Sequence, residues 1–263
     1  MVAGGLSADG WTSDAGTSYF RILCHFVDEK GMEQVILLDA RPKEDSFTAE
    51  ALAELVRNVL ESWGLKSEYE KPWQERKIKY FTSDTTAVMP AMVRSLGLHQ
   101  FPCLAHVFNL IIQELLQEDE RIVLLLKKSW KVYTYFRKSV LKTQALKVAQ
   151  TSYGLKSAQL LLDVKTRWNS TLTMLERIIE NKQPILDLLP LLTPDTPPAI
   201  TKEAIFKRKR QLTEYQWETM SDLCKILLLF RLATKGFEGT KSTLSLAVPI
   251  IKWLIEEFVN QIP

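Results

Sequence analysis

The chain has 263 residues, of which 46% are hydrophobic and 25% are charged, and its formal net charge is +3. A chain of this length buries one large core or two smaller ones, so the composition excludes a disordered or fibrous protein. The weak net charge excludes attraction to a polyanion through bulk charge, so any such attraction must come from local clusters of basic residues.

The cysteine content and the apolar runs indicate the compartment. The three cysteines, Cys24, Cys103 and Cys224, are odd in number and far apart, and no charged and then apolar leader opens the chain. This pattern is typical of a reducing compartment, the cytosol or the nucleus. The longest apolar runs, such as ILLLF at residues 226–230, fall far short of the roughly 20 residues that a membrane span needs. We therefore expect a soluble protein with no membrane partner.

The chain begins with strand signals. Residues 19–28 and 33–39 are β-rich runs separated by the turn-like residues Glu29, Lys30 and Gly31. Two such runs around a short turn predict an antiparallel hairpin. The segment VAGGLSAD before them predicts a further, glycine-weakened strand.

The next elements alternate between helix and strand. From Thr48, a plausible N-cap, apolar residues recur every three or four positions until Gly64, which predicts an amphipathic helix. The elements predicted after it are a strand, a helix, a strand and a helix, over residues 77–84, 85–96, 100–103 and 104–116. The order β-β-β-α-β-α-β-α predicts a mixed α/β domain over residues 1–118.

The second part of the chain, residues 119–263, carries helical patterns and no strand signal of similar quality. The helical patterns cover residues 122–150, 155–162 and 217–237, and a Pro-rich patch runs from 184 to 198. We therefore predict an all-helical domain here. The fold class of the whole chain is predicted as α/β plus α.

Asp9 and Asp84 each lie at the C-terminal end of a predicted strand. If the two strands are parallel neighbours, the carboxylates meet at the edge of the sheet where functional side chains gather. Two acids at that distance repel, and one or two hard cations, Mg²⁺ or Mn²⁺, would compensate them and clamp the oxygens of a phosphodiester. The alternative is that each Asp forms a turn or caps a helix.

Four segments, taken in order, resemble the hAT transposase superfamily. They are DGWTS, TSDTTAVMPAMVR, FPCLAHVFNLIIQ and TRWNSTLTMLERIIE, starting at residues 9, 82, 101 and 166. The chain is similar especially to the animal proteins of the BED zinc finger type that descend from these transposases. The resemblance implies a ribonuclease H-like fold interrupted by a large helical insertion, in which three acids hold metal for DNA strand cleavage and transfer.

The resemblance assigns Asp9 and Asp84 to the first two of these acids. The third is a Glu on a helix beyond the insertion, and the only late acids on a predicted helix, Glu256 and Glu257, lie in surroundings unlike that position. The family usually has Asn where this chain has Thr85. We therefore expect the third ligand to be missing and the insertion to be incomplete at its C-terminus. We also expect neither the BED finger nor the dimerisation segment of the family.

Cys103 and His106 lie on one stripe of a predicted helix together with Asn109 and Gln113. A structural zinc needs four ligands, and this Cys-x-x-His supplies two. Three interpretations stay open: half of a zinc site, a buried Cys beside a hydrogen-bonded His, and a family role near the acidic centre. In the family role, His106 orients a phosphate or an acid.

The local basic cluster lies in residues 122–162, which contain eight Lys or Arg residues and no Asp or Glu. Aromatic residues such as Trp130 are interleaved with them. Basic side chains that can bind phosphates, together with aromatic rings that can stack on bases, predict contact with DNA. The alternative is a solvated helix face. The candidate DNA-binding residues are Lys127, Lys128 and Lys131.

The motif DVKTRWNST adds Lys165, Arg167, Trp168 and Asn169, which combine phosphate donors with an indole. In the transposases that the chain resembles, the tryptophan of this motif is thought to stack on a base flipped out at the transposon end, so the resemblance implies DNA contact here. From the residues alone, the alternative is a buried Trp–Arg pair at the start of a helix.

The basic run KRKR at residues 207–210 predicts a nuclear import signal, or alternatively an exposed loop. The first hypothesis is a domesticated or truncated hAT transposase-like protein of the nucleus that binds DNA without efficient catalysis. Self-association or other nuclear proteins would supply its further partners. The second is an active metal-dependent transposase or nuclease that obtains a third acid from elsewhere. The third is a decayed fragment.

Overall fold

The structure, a computed structural model, describes residues 3–42, 48–65, 75–161, 168–191, 211–237 and 246–261. The chain divides into two compact units. The first comprises Met1–Val107 with Phe237–Ala247, and the second comprises Phe108–Gly236 with Val248–Pro263. The domain boundary predicted at residue 118 stays a prediction.

The first unit contains a five-stranded mixed sheet with the strand order β3-β2-β1-β4-β5. Its strands are β1 (Ala3–Thr12), β2 (Ser18–Val27), β3 (Glu33–Pro42), β4 (Ile78–Ser83) and β5 (His99–Pro102). The first three pair antiparallel, and β4 runs parallel to both β1 and β5. The glycine-rich start of the chain is therefore a strand at the centre of the sheet, as predicted.

The predicted hairpin is formed by β2 and β3. The Asp28 carboxylate accepts the backbone N–H groups of Lys30 and Met32, each at 2.9 Å, and closes the turn. Gly31 has φ +76°, a conformation that residues with a Cβ rarely adopt. The turn residues thus match the sequence pattern that predicted them.

Two helices, α1 (Ala49–Ser62) and α2 (Val88–Ser95), belong to the same unit. Thr48 caps α1, since its hydroxyl accepts the N–H of Ala51 at 3.2 Å. Apolar side chains of both helices share one buried cluster with alternate residues of the strands, among them Ile22 and Phe81. The core of the unit therefore lies between this helix pair and one face of the sheet.

The chain beyond β5 is helical throughout the described residues, as the fold class predicts. The helices are α3 (Leu104–Glu118), α4 (Glu120–Arg137), α5 (Val140–Ser152), α6 (Trp168–Glu180), α7 (Lys182–Leu191), α8 (Glu214–Phe237) and α9 (Ala247–Gln261). None of the helices in the described ranges is both long enough and apolar enough to cross a membrane.

Two details of the helical part differ from the prediction. The helical pattern predicted over 122–150 is divided between two helices, because Ser139 has an extended backbone and caps α5. Residues 155–161 are not helical, although a helix was predicted over 155–162. The side chain of Gln150 binds both the N–H and the carbonyl of Ala158, at 3.1 and 2.8 Å, so these backbone groups are satisfied without a helix.

Candidate functional site

The two predicted acids lie on neighbouring strands: Asp84 directly follows β4, whereas Asp9 lies inside β1, three residues before the strand ends and not at its end as predicted. Strands β1 and β4 are parallel, and Ser7 pairs with Thr82. Asp9 and Asp84 each lie two residues beyond that pair, toward the carboxyl ends of the strands. The parallel arrangement on which the sequence argument depended is therefore present.

Each carboxylate already has a protein partner, on the neighbouring strand for Asp9 and two residues further along the chain for Asp84. Because side chains alternate along a strand, Asp9 points away from the face that buries Ala8, and its carboxylate lies 3.5 Å from the guanidinium of Arg21. One oxygen of Asp84, Oδ1, accepts the backbone N–H of Thr86 at 3.1 Å and its hydroxyl at 2.6 Å. These are the contacts of a turn-forming residue, which was the alternative interpretation of Asp84.

The fit of these residues to Mg²⁺ or Mn²⁺ is incomplete. Such cations prefer six or more oxygen ligands. Within the described ranges, no group of three or more His, Cys, Asp or Glu side chains is arranged to hold a metal ion. A metal bound by Asp9 and Asp84 would need donors from elsewhere, and the metal-ligand roles stay a prediction.

A pocket of about 350 Å³ opens at this end of the sheet. Asp84 and Thr86 line it beside α2, and Leu52 lines it from α1. Trp11 and Tyr19, which face each other across β1 and β2, line the remaining side. The apolar wall of the pocket comes from the face of the sheet that carries Phe20, whereas alternation places the rings of Trp11 and Tyr19 on the other face, with Asp9 and Arg21.

Trp11 and Tyr19 form an aromatic stack on the face of the sheet that carries Asp9 and Arg21. The ring centroids of Trp11 and Tyr19 are 5.3 Å apart and their planes differ by 14°. The guanidinium of Arg21 lies 5.8 Å from the centroid of the Trp11 ring. Sequence reasoning missed all three residues, although alternation from Asp9 along the strand places Trp11 on the same face.

Cys103 and His106 lie at the start of α3, close to the same strand end. The N–H of Cys103 donates to the carbonyl of Ser83 at 2.8 Å, so the backbone of this helix start is fixed next to Asp84. Gln100 donates to the Asp84 carbonyl at 3.1 Å and strengthens the connection. Neither Cys103 nor His106 belongs to a metal-binding group among the described residues, and their predicted roles stay open.

The basic stretch contributes a row of cations on the outer side of α4. Lys127 and Lys131 lie four residues apart in α4, and Lys138, the residue that caps its C-terminus, follows seven residues later with helical dihedral angles, so the three lie on one side of the helix. The opposite face buries Leu125 and Phe136. Both sequence-based interpretations, a DNA contact and a solvated face, require this outward orientation.

Lys128 has a different environment from its neighbours. Its ammonium group donates to the carbonyl of Gln211 at 3.0 Å and to the side-chain oxygen of Gln216 at 2.9 Å. Burial, together with the nearby charge of Lys131, lowers the pKa of Lys128 below its usual value. The side chain is thus used inside the helical unit, which leaves Lys127 and Lys131 as the stronger candidates for phosphate contact.

The described residues of the RWNST segment are buried or bonded. Trp168 is only 4% exposed, because it begins the apolar row of α6 that continues with Leu172 and Leu175. The side chain of Asn169 accepts a hydrogen bond of 3.4 Å from Arg231. This burial agrees with the alternative of a core residue, and the stacking role implied for Trp168 stays a prediction. Lys165 and Arg167, and the run at 207–210, lie outside the described residues.

Comparison with protein families explains the two-part architecture. The model of the ZBED1 RNase-like domain matches residues 7–102, and that of the ZBED1 RNase-like helical domain matches residues 101–226. The two matches meet at the end of β5, where the sheet gives way to helices. The chain belongs to the ZBED1 RNase-like family. It is a hAT transposase-derived protein, as the sequence resemblance implied.

Individual relatives extend this family over most of the chain. Human zinc finger BED domain-containing protein 6 is 25% identical over 264 residues, and the match covers 95% of this chain and 24% of the relative. Human zinc finger BED domain-containing protein 4 is 28% identical over 150 residues, 57% of this chain and 12% of the relative. The putative transcriptional regulator tpeD of Talaromyces stipitatus is 24% identical over 211 residues, 65% of this chain and 23% of the relative. The chain therefore spans a quarter or less of the length of these relatives.

Proposed function

We propose that this member of the family is a nuclear DNA-binding protein without efficient strand cleavage. The observation that carries the proposal is the outer row of α4, formed by Lys127, Lys131 and Lys138. The row lies in a segment, residues 122–161, that contains no acidic residue to neutralise it. It supplies the local clustering of charge that a chain with a net charge of only +3 needs in order to bind a polyanion.

The spacing of the row suits a DNA backbone. A helix rises about 1.5 Å per residue, so Lys131 and Lys138 lie about 6 and 16 Å along the axis from Lys127. Phosphates follow one another about every 3.4 Å along each strand, so the three ammonium groups reach separate phosphates. Trp130 is 48% exposed on the same side of the helix and adds an aromatic surface.

The relatives favour the same function. Two of them are named zinc finger BED domain-containing proteins, and the fungal relative is named a putative transcriptional regulator. A regulator of transcription acts at DNA, either directly or through a DNA-bound partner. These names describe the relatives, and for this chain they support the proposal alongside the basic row.

The surroundings of the two acids support the proposal of inefficient cleavage. The carboxylate of Asp9 is paired with Arg21, and Oδ1 of Asp84 is engaged by Thr86. The second candidate function, metal-dependent DNA cleavage, is favoured by the shared end of β1 and β4. In that case Mg²⁺ or Mn²⁺ would supply Lewis-acid activation of the phosphodiester, and Asp9 and Asp84 would be two of its ligands.

The test of DNA binding is the salt dependence of affinity for duplex DNA. Each phosphate contact contributes about 0.9 to the slope of log K against log salt concentration. We expect Lys127→Ala, Lys131→Ala and Lys138→Ala, combined in one variant, to lower the slope by about 2 to 3. Fluorescence anisotropy over a series of salt concentrations measures both slopes.

A matched control removes the same charge elsewhere. Combining Lys30→Ala, Lys225→Ala and Lys252→Ala also lowers the net charge from +3 to 0 (3 − 3 = 0), but from three different segments. This control should keep the slope of the original protein, and equal slopes for both triple variants would contradict the proposal. Nicking of transposon-end DNA that needs Mg²⁺ or Mn²⁺ and disappears in Asp84→Asn would establish the second candidate instead.

A further inference from the structure

Strand β3 forms one edge of the sheet and has a hydrogen-bonded neighbour, β2, on one side only. Most of its ten residues, Glu33–Pro42, are exposed. A strand at the edge of a sheet presents N–H and C=O groups that can pair with a further strand. Natural proteins usually shorten, charge or cover such an edge, so an exposed apolar edge is a candidate interaction surface.

The middle of β3 is apolar on both faces of the sheet. Alternation places Val35 and Leu37 on one face and Ile36 on the other. These three side chains are 41%, 52% and 38% exposed, respectively. Residues 33–38 contain neither Lys nor Pro, the residues with which natural proteins commonly protect an edge strand.

The hairpin turn shows which backbone groups of β3 point away from β2. The N–H of Asp28 donates to the carbonyl of Met32 at 2.9 Å, so these two residues form a hydrogen-bonded pair. Such pairs alternate with non-hydrogen-bonded pairs along an antiparallel ladder. The register is regular as far as Leu37, so the N–H and C=O groups of Glu33, Val35 and Leu37 point outward. No hydrogen bond made by the described part of the chain occupies these groups.

The regular part of this edge ends before Leu38. The carbonyl of Leu38 accepts the indole N–H of Trp63 at 3.0 Å, so the end of α1 occupies the edge at this point. The register also shifts here, which leaves Leu38 as an extra, bulged residue. Residues 33–37 are therefore the regular, open segment, and we call them the β3 edge.

A second copy of the β3 edge fits the first without a gap in register. In an antiparallel pair with its two-fold axis at Val35, the two Val35 residues lie opposite each other and each Glu33 lies opposite a Leu37. Each of these residue pairs then exchanges two N–H···O=C bonds. The paired side chains share one face of the sheet, so Val35 and Leu37 of both copies form one apolar cluster.

The charges of the hairpin agree with this antiparallel pairing. Glu29 lies six residues before Val35 and Arg41 lies six residues after it, so each Arg41 comes about level with Glu29 of the other copy. The guanidinium of Arg41 pairs with Asp39 at 2.5 Å, but its side chain stays 51% exposed. Opposite charges at both ends of the pair favour this register.

The opposite edge of the sheet offers no equivalent strand. It is formed by β5, which has four residues and ends at Pro102. An isologous pair of β3 edges consumes both of them, so it closes as a dimer and does not grow into a fibre.

We propose that the protein forms a two-fold symmetric dimer through the β3 edge, which joins two five-stranded sheets into one. One pair of short strands buries less than the roughly 1,200 Å² at which standard interfaces begin, so the dimer belongs to the weak and transient class. Its partner is a second copy of this chain. The dimer requires no DNA, so it stands or fails independently of the proposed function.

The test is sedimentation velocity over a series of protein concentrations in the absence of DNA. Because Val35 faces its own copy across the axis, Val35→Lys sets two ammonium groups opposite each other and should weaken association at least about tenfold. Val35→Glu should have the same effect through two carboxylates. An equimolar mixture of the two variants should associate again, because each Lys then faces a Glu.

A matched control and a second measurement complete the test. Val148 is 71% exposed on α5, and Val148→Lys should keep the association of the original protein. Amide hydrogen exchange, followed by NMR, needs no variant. The amides of Val35 and Leu37 should become more protected as the protein concentration rises, whereas those of Gln34 and Ile36, which point toward β2, should be protected at every concentration.

The outcomes decide the proposal without reference to DNA. An original protein that stays monomeric up to about 1 mM, or a Val35→Lys variant that associates as well as the original, overturns the dimer. Association that is lost in both charged variants but not restored in their mixture overturns the pairing about Val35. Circular dichroism and urea denaturation identify a variant that fails to fold, and the exchange pattern of the original protein then decides.

Discussion

At the scale of single residues, the adjacent residues Lys127 and Lys128 have different environments and different proposed roles. Successive residues of a helix point about 100° apart. Lys127 therefore faces outward from α4, whereas Lys128 reaches Gln211 and Gln216. We expect Lys128→Ala to lower the free energy of unfolding by about 1–3 kcal/mol, because both acceptors lose their donor. Lys127→Ala should change it by less than about 0.5 kcal/mol, and urea denaturation measures both values.

The pH dependence of stability gives an independent check on Lys128. Because burial lowers its pKa in the folded protein, the folded state releases this proton at a lower pH than the unfolded chain does. Stability should therefore rise as the pH increases from the folded pKa toward the unfolded value of 10.5, and this gain should be absent from Lys128→Met. If Lys128→Ala instead keeps full stability and flattens the salt slope of DNA binding, Lys128 belongs to the DNA-binding surface.

At the scale of elements, the sequence predicts those helices and strands whose conformation depends on residues close together in the chain. The strands of the first unit and helix α1 follow from alternation, turn residues and the Thr48 cap, all of which lie within a few positions of one another. The prediction of a helix over 155–162 was wrong, because the backbone conformation there depends on Gln150, which binds Ala158 from the preceding helix. The candidate site divides in the same way: Asp84 was found from its strand end, but the stack of Trp11 and Tyr19 needed the register of two strands.

The side chain of Gln150 connects several elements, and its contribution to stability can be tested. Its side chain is 0% exposed and binds Ala158 and, at 2.7 Å, the side-chain oxygen of Asn181 between α6 and α7. We expect Gln150→Leu to lower the free energy of unfolding by about 2–4 kcal/mol, because it leaves several buried polar groups without partners. The exposed Gln144→Leu on the same helix should change it by less than about 0.5 kcal/mol. A loss below about 1 kcal/mol for Gln150→Leu would show that water replaces the amide.

At the scale of the whole molecule, basic charge is concentrated rather than spread. The net charge is +3, yet residues 122–161 carry eight basic side chains and no acid, and KRKR at 207–210 adds four more. The first cluster lies on the helical unit, where the row on α4 faces outward. The second lies outside the described residues, so the argument for its role rests on its sequence alone. The partners that we propose for the two clusters therefore differ: DNA for the row and an import receptor for the run.

This separation predicts that localisation and DNA retention respond to different substitutions. Changing residues 207–210 to alanine in a fluorescent fusion should abolish the nuclear excess, because an import receptor reads a short run of basic side chains. The combined Lys127→Ala and Lys131→Ala variant should still accumulate in the nucleus, but its fluorescence should recover faster after photobleaching, because fewer phosphate contacts hold it on DNA. An unchanged nuclear excess in the first variant would show that the run is not an import signal. Recovery in the second variant as slow as in the original protein would show that the lysines of α4 do not hold the protein on DNA. The two readouts can fail independently, since import requires no contact with DNA and retention requires no receptor.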